Sequence, residues 1–294
     1  MKIEPPIGLI PLLGCCAIIN FASYQAEAKL VINEINYSVK DEDGVEDFSK
    51  EWVEIYNSGP QEIALQGWRI SAGVSYEFPN YVIAPDSFVV VAANPDKFSS
   101  FYPDAPEALG PWVGRLSNTG ETIRIRDGSN KEIDQVDYAD EGFWASRKTG
   151  PEDRGHEGWV WEALHDSGGK SLELVNWADK NNNGQNWSSS ILEGGTPGQQ
   201  NSVYDSKLVP LIESISHFPL LPKSTEPVGI TLKIDNSSRF EDLRLELFWK
   251  VDGAADNFAS MGMKANGGGA YFAEIPEQPN KSVIEFFFVV GVGE

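Results

Sequence analysis

The residues that could bind a metal ion include three that alternate along the chain, Asp179, Asn181 and Asn183, followed by Gly184. Alternating side-chain oxygens followed by a glycine match the first half of a calcium-binding loop. The twelfth position of an EF-hand loop requires a bidentate glutamate, and this chain has Ser190 there. The pattern therefore leaves two interpretations open, a weak calcium site and an asparagine-rich surface turn.

A second candidate for calcium is an acidic segment that carries Asp41, Asp43 and Asp47. Carboxylate oxygens are the hard ligands that calcium prefers. A run of like charges is also typical of a solvated loop, and this interpretation stays open beside the metal site. Calcium is the only cofactor that the sequence suggests, and both candidate sites are weak.

Three tryptophans, Trp144, Trp159 and Trp161, lie in a glycine-rich segment without clear periodicity. If they are exposed together, they form an aromatic platform for a ligand. The alternative is that each of them belongs to a hydrophobic core, where large aromatic side chains are common.

Few other residues could carry out chemistry. The only two cysteines, Cys15 and Cys16, lie near the N-terminus, and the whole chain has three histidines. Glu34, Glu51 and Glu54 suggest paired carboxylates of the kind that hydrolases use. Glu51 and Glu54 are an odd number of residues apart, so they should point to opposite faces of one strand. We assign no catalytic residue and expect a protein that is not an enzyme.

The N-terminal segment 1–28 has the pattern of a secretion signal. Lys2 precedes an apolar stretch over 7–22, and a small-x-small pattern ends at Ala28. The stretch is shorter than the ~20 residues that a membrane-spanning helix needs. We predict cleavage after Ala28 and a secreted or cell-surface protein. Lipid attachment at Cys15 is the alternative, because the residues before it resemble a bacterial lipobox.

The charge balance narrows the choice of partner. The chain has 44 acidic and 23 basic residues, which gives a formal net charge of −21. Such a surface repels phosphate backbones, so nucleic acid is disfavoured as a partner. No second stretch is long and apolar enough to predict a transmembrane segment after signal removal. A protein or a polysaccharide at the cell surface is the expected partner.

The elements that must position these residues are predicted to be strands. Thr122–Arg126 alternates between apolar and polar residues, which directs Ile123 and Ile125 inward. Asp127 and Gly128 then indicate a hairpin turn. Strands at this spacing, separated by Gly, Pro, Asn and Asp, favour an all-β antiparallel sandwich. Over 143–201 the pattern weakens, and only Ser171–Val175 is predicted to be a strand.

A second set of strands follows a connector near Val203–Pro210. Its members are Gly229–Ile234, Leu243–Val251, Tyr271–Ile275 and Val283–Val290. With shorter runs included, the sequence accounts for about six strands, fewer than the seven of a complete immunoglobulin sandwich. We therefore expect this domain to lack its last strand.

Several short blocks, in order, resemble the lamin tail domain family over residues 30–201. The blocks are Val31–Ile35, Trp52–Asn57 with Gly59, Leu65 with Gly67, Trp68 and Ile70, Ile83–Pro85 with Val89–Val91, Leu116–Asn118 with Gly120 and Glu121, Asp127 with Gly128, Val136 with Tyr138, Ser171–Glu173, Asn186 with Trp187, and Thr196–Asn201. Where the family has a glycine in the turn after Pro85, this chain has Asp86.

The resemblance implies an immunoglobulin-like β-sandwich over 29–202, a linker over 203–210, and a second, incomplete immunoglobulin- or fibronectin-III-like β-sandwich over 211–294. It also implies a non-catalytic interaction or adhesion module that binds protein or polysaccharide outside the cell. The alternative is the non-catalytic N-terminal region of a larger extracellular enzyme, because relatives accompany nucleases, phosphatases and spore-coat-type kinases. A family resemblance alone fixes no activity.

Overall fold

The computed structural model describes residues 29–41, 43–254 and 257–292. The predicted signal, its cleavage site and Cys15 lie outside the described residues. Regular structure in the described part is almost entirely β, as predicted. Its one α-helix, α1 (Pro95–Phe101), is accompanied by four single 3₁₀ turns. None of the described helices has the length and apolar character that crossing a membrane requires.

Thirteen strands precede residue 190 in the described chain. In chain order they are β1 (Leu30–Asn36), β2 (Trp52–Asn57), β3 (Ile63–Ala64), β4 (Arg69–Ile70), β5 (Tyr76–Glu77), β6 (Val82–Ile83), β7 (Ser87–Ala92), β8 (Glu121–Arg126), β9 (Glu132–Tyr138), β10 (Ser146–Asp153), β11 (His156–Glu162), β12 (Leu172–Leu174) and β13 (Trp187–Ser189).

Two sheets of this first unit enclose its core. One has the order β13-β12-β1-β2-β7 and the other β5-β4-β8-β9, with a short β3–β6 pair beside them. Val53 and Ile55 from β2 meet Ile123 and Ile125 from β8 in one buried cluster. The predicted inward directions of Ile123 and Ile125 are confirmed.

Both faces of the five-stranded sheet are covered, and every residue of β1 and β2 is buried. On the outer face, α1 packs Phe98 against Trp52 and Val90. Asn94 begins this helix, since its side chain accepts a hydrogen bond from the Lys97 N–H at 3.1 Å. A strand buried on both faces loses the apolar–polar alternation that marks a half-exposed strand.

The segment after β9 contains a hairpin that the sequence did not predict. β10 and β11 pair with each other and with no other described strand. Seven of the eight residues of β10 are exposed, so no buried face imposes an apolar–polar alternation on its sequence. The expectation of a loop-like segment here is therefore wrong. The strand predicted at Ser171–Val175 is confirmed as β12.

The second unit contains seven described strands. They are β14 (Ile212–Phe218), β15 (Val228–Ile234), β16 (Leu243–Val251), β17 (Ala259–Gly262), β18 (Lys264–Ala265), β19 (Ala270–Ile275) and β20 (Ile284–Val292). They form two sheets of order β14-β15-β19-β18 and β17-β16-β20 around a core that includes Ile230, Leu232 and Leu247. The four predicted strands are confirmed within one or two residues. The predicted domain boundaries and a missing last strand stay predictions.

The two units meet through side chains, and no described strand pairing joins them. Gln185 donates to the carbonyl of Ile212 at 2.8 Å and accepts from its N–H at 3.1 Å. The side chain of Asn236 accepts from the Leu211 N–H at 2.8 Å. These bonds tie the start of β14 to both units.

Candidate functional site

The exposed hairpin brings two of the three predicted platform tryptophans together. Trp161 lies opposite Arg147, and Trp159 lies opposite Thr149. Residues two apart on a strand share a face, so both indoles project from the same side of the ribbon. Trp159 is 49% exposed and Trp161 is 44% exposed. We call Arg147, Trp159 and Trp161 the hairpin face.

Arg147 is held by the two indoles. Its guanidinium carbon lies 5.6 Å from the ring centroid of Trp159 and 5.4 Å from that of Trp161. Both distances are within the range of a cation–π interaction. Among the described residues, Arg147 has no carboxylate within ion-pair distance, so its N–H donors stay available to a ligand. On the opposite face of the ribbon, Lys148 pairs with Glu162.

The tip of the hairpin touches the second unit. The His156 Nδ1 lies 2.7 Å from a carboxylate oxygen of Asp252.

The third predicted platform residue lies elsewhere. Trp144 sits in a 3₁₀ turn before the hairpin, and its ring lies 6.0 Å from that of Trp187. It packs against the core of the first unit. Trp144 is thus a packing residue, and the exposed pair is Trp159 with Trp161.

The segment with alternating Asp and Asn joins the two units. The Asp179 carboxylate accepts from Arg239 and from the Asn236 amide, each at 3.0 Å. Asn181 donates to Asp134, and Asn183 accepts from the Gln185 N–H at 3.0 Å. The three side chains thus point to different partners, and the cation nearest Asp179 is the guanidinium of Arg239. Calcium binding here stays a prediction.

The acidic segment also uses its carboxylates locally. Asp41 accepts from the N–H groups of Asp43 and Val45 at 3.0 and 2.8 Å. Asp47 lies 3.1 Å from the Lys97 amine and holds the following 3₁₀ turn. The described residues contain no group of three or more His, Cys, Asp or Glu side chains that could hold a metal ion. A calcium site at Asp41, Asp43 and Asp47 stays a prediction.

Three fully buried carboxyl groups form a row across three neighbouring strands. Glu34 on β1 lies opposite Glu173 on β12 and opposite Glu54 on β2. All three are 0% exposed. We call them the buried carboxylate row. Glu34 and Glu54 are among the candidates that the sequence suggests, whereas Glu173 is not, because strand order in the sheet is not visible in the sequence.

The segment 195–203 covers this row and supplies most of its hydrogen-bond donors. The Thr196 N–H donates to Glu34 at 2.8 Å, the Gly198 N–H donates to Glu54, and the Val203 N–H donates to Glu173 at 3.1 Å.

The Thr196 hydroxyl lies 3.2 Å from Oε2 of Glu34 and 2.9 Å from Oε1 of Glu173. The single hydroxyl hydrogen of Thr196 can be donated to only one of these two oxygens. A proton on Glu34 supplies the second hydrogen that this network of hydrogen bonds needs.

Electrostatics favour the protonated forms of Glu34 and Glu54. Burial, with the charge of Glu173 second, raises the pKa of Glu34 to about 8. Burial and the charge of Glu34 also raise the pKa of Glu54 well above its usual value. Carboxyls with perturbed pKa values often mark active sites. Here full burial leaves no path for a substrate, and protein donors occupy the oxygens. The row therefore closes the first unit by fixing the segment 195–203 to the sheet.

Residues 23–140 match the family model of the Lamin Tail Domain. Over these residues the chain is similar to a lamin tail domain. The match covers less than half of the chain, and within the described residues it spans β1 to β9. The lamin tail domain is immunoglobulin-like, in agreement with the two sheets described above. No curated protein matches the chain.

The residues after the match complete the lamin tail sandwich. β12 and β13 extend the five-stranded sheet, and Glu173 with the segment 195–203 closes the buried carboxylate row. The hairpin of β10 and β11 also lies beyond the matched residues, between β9 and β12. It is thus an exposed addition to the lamin tail core.

Proposed function

We propose that the protein is a non-catalytic interaction protein, secreted or held at the cell surface, that binds another protein through the hairpin face. The single observation that carries this proposal is the contiguous exposure of Trp159, Trp161 and Arg147. Trp and Arg are the residue types that most often dominate the binding free energy of protein interfaces. A polysaccharide is the second candidate, because flat indole faces also stack on sugar rings.

The exposure of the two indoles is unfavourable for the free protein, and this supports a binding role for the hairpin face. A lone two-stranded hairpin is marginally stable in water, and two half-exposed indoles add apolar surface that a soluble protein usually covers. The hairpin gains little from its own packing, since seven of the eight β10 residues face solvent. A partner that buries both indoles would remove this apolar surface from water.

The sequence supports an extracellular place of action. The segment 1–28 has the pattern of a secretion signal. The net charge of −21 disfavours nucleic acid as the partner. The immunoglobulin-like core fits a scaffold that presents a binding element.

The proposal is tested by binding of the labelled protein to a cell-envelope fraction from the producing organism. We expect saturable binding that the double variant Trp159→Ala/Trp161→Ala loses and that Arg147→Ala weakens. Lys148→Ala and Val160→Ala change the opposite face of the same ribbon and should bind like the unmodified protein.

Treatment of the envelope identifies the class of partner. Digestion with a protease should abolish binding if the partner is a protein, whereas periodate oxidation should abolish it if the partner is a polysaccharide. Binding that the tryptophan variant retains in full would refute the proposed role of the hairpin face.

A further inference from the structure

A second concave site lies on the first unit, away from the hairpin. It is a cleft of about 300 Å³ whose walls are four aromatic side chains. These are Tyr56 from β2, Phe88 from β7, Trp177 from the loop after β12, and Tyr204 from the connector. We call it the aromatic cleft.

Three of the four rings of the aromatic cleft pack together. Tyr56 stacks on Phe88 with centroids 4.7 Å apart and an interplanar angle of 23°, and Trp177 lies 6.1 Å from Tyr56 at an interplanar angle of 57°. Ring faces carry the negative part of the aromatic quadrupole, so a ring that turns its face to the cleft attracts a cation there. No Lys or Arg side chain among the described residues lies over any of these four rings.

A carboxylate stands at the rim. Asp86 is exposed, lines the cleft and accepts a hydrogen bond from the Tyr56 hydroxyl. Its φ of +52° is the left-handed conformation that favours glycine. A non-glycine residue kept at such a position often serves a ligand site. Here it places a negative charge beside the aromatic walls.

Three amide side chains also line the cleft, of which Gln200 is exposed and Asn33 and Asn201 are engaged by protein partners. The Asn33 amide donates to Glu54 at 2.9 Å and to Asn201 at 2.6 Å. The Asn201 amide donates to the carbonyls of Asn33 and Leu174 at 3.0 and 2.8 Å. A sugar needs several free donors and acceptors, whereas a quaternary ammonium group needs none.

We infer that the aromatic cleft binds a quaternary ammonium group of the choline type. The aromatic walls supply cation–π contacts, and Asp86 supplies the opposite charge at the rim. The net charge of −21 raises the local concentration of cations around the whole molecule. The inference does not depend on the hairpin face, which lies on a different element.

The test is calorimetric titration of the whole protein with choline chloride. We expect saturable binding with a Kd on the order of a millimolar, the affinity of a few cation–π contacts. The neutral isostere 3,3-dimethylbutan-1-ol has the same shape without the charge, and it should bind at least about tenfold more weakly.

Variants of Asp86 and Trp177, compared with a control variant elsewhere, test whether choline binds in the aromatic cleft. Asp86→Asn keeps a side chain that tolerates the left-handed turn and can still accept from Tyr56, so the loss of charge should weaken binding by about threefold to tenfold. Trp177→Ala should weaken it by about tenfold or more, and Trp177→Phe serves if that variant does not fold. Asp104→Asn, an exposed carboxylate elsewhere, is the matched control and should bind normally.

The inference would be overturned by the absence of saturable choline binding, by equal binding of the neutral isostere, or by unchanged affinity in both Asp86→Asn and the Trp177 variants. Binding of glucose in place of choline would also overturn it. The Trp159→Ala/Trp161→Ala variant should bind choline like the unmodified protein, which separates this outcome from that of the proposed function.

Discussion

The buried carboxylate row and the hairpin face hold the residues of this chain that are richest in chemistry, and they use them in opposite ways. Glu34, Glu54 and Glu173 are fully buried and engaged by protein donors. Trp159, Trp161 and Arg147 are exposed, and the described residues offer the guanidinium no carboxylate. Carboxyl groups with raised pKa values, such as Glu34 and Glu54, can therefore serve the fold. The side chains that are free to bind a partner lie on the exposed hairpin, which gains little from its own packing.

The largest expected effect on stability comes from a methyl group added next to the buried carboxylate row. Gly195 has a φ of +88°, and an added Cβ would lie 2.1 Å from a carboxylate oxygen of Glu34. Gly195→Ala should therefore lower the free energy of unfolding by more than about 3 kcal/mol. Gly155 in the hairpin turn has a φ of +85° and open space around it. Gly155→Ala should cost only about 1 kcal/mol. Equal losses in urea unfolding would contradict the comparison.

The next effect is a dependence of stability on pH. The pKa of Glu34 is about 8 in the folded protein and 4.5 ordinarily, so the folded state holds a proton that the unfolded state releases. The stability from this proton is fully present below about pH 4.5 and is lost as the pH rises through about 8. The free energy of unfolding should therefore fall between about pH 5 and about pH 9.

The variant Glu34→Gln isolates this contribution. The glutamine amide stays neutral and can donate to the Thr196 hydroxyl, so the loss between about pH 5 and about pH 9 should shrink by up to about 4 kcal/mol. Glu107→Gln changes an exposed carboxyl and is the matched control. A pH profile of Glu34→Gln that parallels that of the unmodified protein would show that Glu34 is ionised when folded.

A smaller effect should follow from breaking the ion pair between the two units. The Asp179 side chain is 3% exposed, and Arg239→Met removes its guanidinium partner at 3.0 Å. We expect a loss of about 2 kcal/mol, since a hydrogen bond to a buried charge is broken. The hairpin pair of Lys148 and Glu162 is exposed, so Lys148→Met should change stability by less than about 0.5 kcal/mol. Thermal unfolding of both variants measures the difference.

The sequence predicted the parts of this fold that have one buried face. Ile123 and Ile125 alternate with polar residues, and they face the core as expected. The resemblance to the lamin tail family added the order of the blocks, because no single block determines a fold. The confirmed strands of the second unit likewise have apolar residues at alternate positions.

What the sequence could not predict depends on contacts made far along the chain. The hairpin of β10 and β11 was missed because a ribbon without a buried face shows no apolar alternation. β14 was missed for the same reason, since six of its seven residues are exposed. The carboxylate row requires Glu34 and Glu173 to be neighbours across 139 positions in the numbering, which only strand order determines.

The double variant Trp159→Ala/Trp161→Ala tests the central claim most directly. Its free energy of unfolding and its binding to the envelope fraction are measured in the same preparation and compared with Val160→Ala. We predict a change in stability below about 0.5 kcal/mol, because both side chains are half-exposed, together with loss of binding. A variant that unfolds like Gly195→Ala, or that is as stable as the control and still binds, would contradict the account.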